Sequence, residues 1–78
     1  MKFNEEKYFE ALKKLNNVIK YKDAEYFNMC FATAIANNIK LTEDKINKCL
    51  LNGVSDKMIS YGQSMTLRKM YLEVLLCE

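Results

Sequence analysis

The residues most capable of chemistry in this chain are few and scattered. Cys30, Cys49 and Cys77 are its three cysteines, and there is no histidine. A cysteine nucleophile needs a neighbouring base or a depressed pKa, and histidine is its usual base, so thiol catalysis has no visible partner here. The same absence, together with the lack of a CxxC pair, argues against a structural zinc site. The odd number and wide spacing of the cysteines suit reduced thiols in a cytosolic protein, two of them serving as small core hydrophobes. The acidic groups Glu5-Glu6, Glu10 and Glu43-Asp44 stand where helix starts and solvated faces want charge, so they do not single out an acid/base pair. No phosphate-binding glycine loop of the P-loop or GxGxxG kind occurs. The chain is therefore expected to be non-catalytic, with no metal and no cofactor.

Composition narrows the partners further. The net charge is +2, and charged residues make up 28% of the sequence. That balance is too mild to pull strongly on nucleic acid or an anionic membrane, and it also disfavours disorder. Arg68 is the only arginine among the twelve basic residues, whereas bidentate recognition of phosphate or guanine favours arginine. No run approaches the length of a membrane-spanning helix. Met1-Lys2 leads straight into Phe3-Asn4-Glu5-Glu6 without the apolar stretch of a signal peptide, so a cytoplasmic location is expected. Abundant Lys, Asn, Ile, Phe and Tyr point to AT-rich coding, which bacteria, phages and mobile elements share.

The elements that must position any site are helices. The chain has no proline, and its two glycines are Gly53 and Gly62. One start signal occurs three times: an apolar residue, a capping residue, and a second apolar residue five positions after the first. Phe3-Asn4 with Tyr8, Leu41-Thr42 with Ile46, and Val54-Ser55 with Ile59 all fit a capped helix closed by a hydrophobic staple. Asp23 is a fourth expected cap. The first helix, about 5–20, places Tyr8, Ala11, Leu12, Leu15, Val18 and Ile19 on one stripe. Glu10 and Lys14 lie on its polar face at supportive i,i+4 spacing. The second, about 24–38, is apolar almost all round and ends at Asn37-Asn38. A helix of that kind is expected in the middle of a bundle or between a core and a partner. The third, about 43–52, turns Ile46, Cys49 and Leu50 inward, and Asn52-Gly53-Val54 supplies a left-handed glycine stop. A long fourth helix runs from Asp56 to about Cys77. The expected fold is all-α: one domain over residues 1–78, a compact bundle of four helices, or five if Gly62 divides the last.

The last helix carries two apolar arcs. Ile59, Leu67, Met70, Tyr71, Val74 and Leu75 share one, while Met58, Tyr61, Met65, Leu72 and Leu76 fall roughly opposite. One arc suffices to dock the helix on its own core. The second marks an interface with another protein or with a second copy in a homodimer, and its two methionines suit an adaptable surface. If the helix is central in the bundle, both arcs are core instead. The expected function is that of a small non-catalytic regulator or inhibitor of the phage or mobile-element type, acting through helix–helix contact.

A second reading comes from Lys45 to Ser60, which resembles the core of the helix-turn-helix family. Cys49 is the small residue four before the turn glycine, and Gly53-Val54-Ser55 and then Ile59-Ser60 follow at recognition-helix spacing. The resemblance implies a DNA-binding transcriptional regulator in which Lys57, Ser60, Tyr61 and Ser64 face a major groove. It covers this stretch alone, and Lys48 and Asp56 depart from the family's pattern. Nucleic acid is therefore the second partner class, after protein.

Overall fold

The computed structural model describes residues 3–76, so the expected thiol Cys77 lies outside the described residues. Helix accounts for 77% of the described residues, and no strand occurs among them. The α-helices are α1 (Glu5–Val18), α2 (Glu25–Ala36), α3 (Glu43–Ser55) and α4 (Tyr61–Leu75), with a 3-10 turn over Lys22–Ala24. The chain divides into two helical units: α1 and α2 form the first, which ends at Leu41, and α3 and α4 form the second, which begins at Thr42.

In the first unit α1 starts as its cap residues require. The Asn4 side chain accepts from the Lys7 backbone N–H at 3.1 Å, and the Phe3 and Tyr8 rings stand 5.5 Å apart, centroid to centroid. Together these are an N-cap closed by a staple. Leu15 is fully buried, and Tyr8, Ala11 and Leu12 are partly so. Val18, expected on the inward stripe, is instead exposed because α1 ends there, and Ile19 is buried just beyond it. Asp23 lies inside the 3-10 turn, one residue before Ala24, which is the residue that directly precedes α2.

α2 packs on α1 and buries Phe27, Asn28, Phe31, Ala32 and Ala36. Its surroundings are less uniform than its composition suggests, since Tyr26, Met29 and Thr33 form an exposed strip. Both ends of the pair are tied. At one, the Asn4 backbone N–H donates to the Ala36 carbonyl at 2.9 Å, and the Lys7 ammonium donates to the Asn38 side chain at 2.9 Å. At the other, the buried Asn28 amide donates to the Asn16 side-chain oxygen at 2.9 Å and reaches the Ile19 carbonyl at 3.4 Å. The start of α1 thus meets the end of α2 and vice versa, so the two run antiparallel.

α2 and α3 end in the same way. Asn38 and Lys57 adopt left-handed φ values of 59° and 61°. Around each, the next two N–H groups turn back onto the helix: Asn38 to Ile35 and Ile39 to Ala34, Lys57 to Val54 and Met58 to Gly53, all at 2.9–3.0 Å. This is the Schellman arrangement, which satisfies carbonyls the helix leaves open. Asn37-Asn38 ends α2 as expected.

The second unit departs from expectation at Gly53. This glycine is helical and buried in the last turn of α3, so it is not the stop. Ser55 is the last helical residue rather than the next cap. α4 begins instead after Ser60, whose hydroxyl accepts from the Gln63 N–H at 3.1 Å while the Gln63 side chain accepts from the Ser60 N–H at 2.8 Å. That reciprocal pair is a complete capping box. The residues from Asp56 to Ser60 are a turn, and Gly62 sits within the first turn of an undivided α4. Thr42 caps α3 as expected, accepting from the Lys45 N–H at 3.2 Å. α3 packs on α4, with Ile46 and Leu50 buried on one and Leu67 and Tyr71 on the other.

Three stability measurements test this account. Phe31→Ala should cost about 3–5 kcal/mol in denaturant titration, the range for emptying a core phenylalanine site. A cost below about 1 kcal/mol is incompatible with the burial described. Asn28→Ala should cost about 1–3 kcal/mol because it leaves buried partners without their donor. Asn16→Ala should cost less, since water can replace an exposed partner. Lys57→Gly should stabilise the chain by about 0.5–1 kcal/mol, because glycine adopts the left-handed conformation without Cβ crowding. Destabilisation would show that the Lys57 side chain, and not the torsion, holds the turn.

Candidate interaction surface

Because α4 starts at Tyr61, only part of the expected outer arc is helical. Tyr61, Met65, Leu72 and Leu76 lie within about 60° of one another around the helix axis. Met58 stands apart in the preceding turn, held through its backbone N–H to the Gly53 carbonyl at 2.9 Å. The buried residues Ser64, Leu67 and Tyr71 occupy a second arc, centred about 120° from the first rather than opposite it. Ile59, assigned to that inner arc, is buried but also precedes the helix.

Exposure follows the two arcs. Tyr61 is 61% exposed, Met65 58%, Leu76 41% and Met58 41%, while Leu72 is half-buried. The α4 face is therefore an apolar strip open to solvent over most of its length. On the side away from the core it is bordered by Lys69 and Glu73, both exposed. Arg68 lies at its other edge, near the middle. Its guanidinium donates to the Glu43 carboxylate at 2.6 Å, and the side chains are 39% and 64% exposed. A pair that wet contributes little to stability. Its local effect is to offset the one positive charge at that edge of the strip.

The four residues that the helix-turn-helix resemblance would aim at DNA do not share a face. The turn that this reading places at Gly53 is absent, because α3 runs through it to Ser55. Lys57 lies in the left-handed turn and Ser60 is engaged as the α4 cap. Ser64 is buried, its hydroxyl donating to the Tyr61 carbonyl at 2.6 Å. Of the four, Tyr61 alone is an exposed residue of α4.

Other groups offer less. Cys30 and Cys49 are partly buried thiols, and no group of three or more potential metal ligands comes together among the described residues. A shallow depression at the start of α1 is lined by Phe3, Asn4, Glu5, Glu6 and Asn38. Phe9 on α1 and Tyr26 and Met29 on the α2 strip add further exposed apolar area, each half or more exposed.

Sequence reasoning missed two residues on which this geometry depends. Ser60 carried a readable signal, since Ser-x-x-Gln over Ser60–Gln63 is a capping-box pattern, but the glycine at 53 drew the boundary too early. Asn28 carried only a faint one, as a lone amide within the apolar Tyr26–Phe31 run. No helix of the described residues is long and apolar enough to cross a membrane. Comparison with protein-family models, curated proteins and solved structures gives no match to this chain.

Proposed function

We propose that this protein is a non-catalytic, cytoplasmic interaction module, a single helical domain that regulates or inhibits a target through helix–helix contact at the outward face of α4. One observation carries the reading: Tyr61, Met65 and Leu76 are exposed along the same side of a helix whose adjacent arc, through Leu67 and Tyr71, is already buried. A helix needs one apolar arc to dock on its own fold. A second arc left in water is a standing free-energy cost that association removes, at about 25 cal/mol for each Å² of apolar area covered. Methionine and tyrosine suit that role, one by adaptability and the other by combining a large apolar body with a polar tip. The sequence has no histidine to serve as the usual base for a cysteine nucleophile, which favours a binding role over thiol chemistry.

The test is a double substitution on the strip. Met65→Lys with Leu72→Lys should abolish association with the target while leaving helix content and the thermal transition nearly unchanged, as circular dichroism would read. Unfolding of the isolated chain by that pair would assign the strip to the core and remove the basis of the proposal.

A further inference from the structure

Asn52 and Gly53, which do not end α3, have a chemistry of their own. They form the one Asn-Gly step in the chain. An asparagine followed by glycine is unusually prone to ring closure, because no Cβ shields the glycine nitrogen. That nitrogen attacks the side-chain carbonyl carbon of Asn52, its proton leaves with the side-chain amide as ammonia, and a succinimide remains. Water then opens the ring at one of its two carbonyls. One route gives aspartate; the other gives isoaspartate, in which the backbone runs through Cβ and the former side-chain carbon. Water is the only other reactant.

The fold withholds this reaction. Both residues are helical, and the helical ψ of about −42° holds the Gly53 nitrogen out of the plane that a five-membered ring demands. A helix also directs the Gly53 N–H at the carbonyl four residues earlier. Both carbonyls are engaged as well: the Asp56 N–H donates to that of Asn52 and the Met58 N–H to that of Gly53, each at 2.9 Å. Asn52 is exposed while Gly53 is buried, so water reaches the side chain and the backbone alone forbids closure.

We propose that Asn52-Gly53 is a modification site guarded by the fold. It is inert while the last turn of α3 is closed, reacts when that turn opens, and as isoaspartate keeps the turn from closing again. Isoaspartate adds one backbone atom to every helical hydrogen-bonded ring that spans residue 52, and it displaces the carbonyl that the Asp56 N–H requires. The aspartate product is milder. It keeps the backbone but places a like charge four residues before Asp56, near the negative end of the helix. The site thus converts a transient opening of the second unit into a lasting one.

The full-length chain is held at mildly alkaline pH in native buffer and, separately, in guanidinium chloride, and residue 52 is followed by peptide mapping with mass spectrometry. In guanidinium chloride Asn52 should convert faster than any other asparagine. In native buffer its conversion should be at least about tenfold slower, because it waits on local opening. Asn52→Gln, whose longer side chain closes the ring poorly, should keep the helix content and lose the conversion. The isoaspartate chain, purified and returned to native buffer, should show less helix by circular dichroism than Asn52→Asp treated alike. A smaller difference between the native and denatured rates would overturn the guarding. Conversion that persists in Asn52→Gln would overturn the site, and full recovery of helix by the isoaspartate chain would overturn the lasting opening.

Discussion

The arrangement of the second unit hangs on one backbone torsion, the left-handed φ of Lys57. With Lys57 at 61°, the N–H groups of Lys57 and Met58 fold back onto Val54 and Gly53, and α3 can go no further. The chain then has only Met58 and Ile59 before Ser60 caps α4. Everything about the outward face follows from that phase. A helix starting at Ser55 would place Met58 and Ile59 on its wheel, whereas one starting after Ser60 leaves both in the turn and aims Ser64, Leu67 and Tyr71 inward. Lysine has no side-chain route to a left-handed conformation of the kind asparagine has. The torsion is therefore supported by its surroundings: two returning hydrogen bonds, the burial of Ile59 and the capping box that follows.

The first unit solves its alignment by a polar route. α2 is apolar enough that many rotations about its axis would bury similar area, so hydrophobic burial alone specifies its setting poorly. Asn28 breaks that degeneracy. Its amide is buried, and only a setting that brings it to Asn16 and the end of α1 satisfies it. A buried amide without partners costs more than the net worth of its hydrogen bonds, so the alternatives are penalised more strongly than this one is rewarded. The far end is matched by Asn4 on Ala36 and Lys7 on Asn38. The left-handed asparagine there both ends α2 and accepts from the neighbouring helix.

The α4 face joins the two themes, because helix phase decides which of its apolar residues stay exposed. Buried and exposed apolar arcs lie side by side on α4, about 120° apart. The helix thus has one broad apolar sector, of which the core covers only one side. The residues that dock the helix internally thereby also set the direction in which the exposed strip faces. Charged groups border that strip, Arg68 on one edge and Lys69 with Glu73 on the other.

Much was legible without coordinates. The all-helical class, the caps at Asn4 and Thr42, the Phe3–Tyr8 staple, the stop at Asn37-Asn38 and the burial of Leu15, Phe31, Ile46, Leu50, Leu67 and Tyr71 all follow from periodicity and capping chemistry, which act over three to five residues. The boundary between α3 and α4 was not legible, because two local signals competed. Gly53 offered a left-handed stop and Ser60–Gln63 offered a start. Packing chose between them, burying Gly53 in the helix and forcing the left-handed torsion onto Lys57 four residues later. The setting of α2 was likewise beyond reach, since the partners of Asn28 lie nine and twelve residues away across a turn. Local chemistry determined that these segments are helices. Tertiary packing decided where they end and which apolar residues of α4 stay in water, because only contacts between helices can outweigh a glycine's freedom to turn.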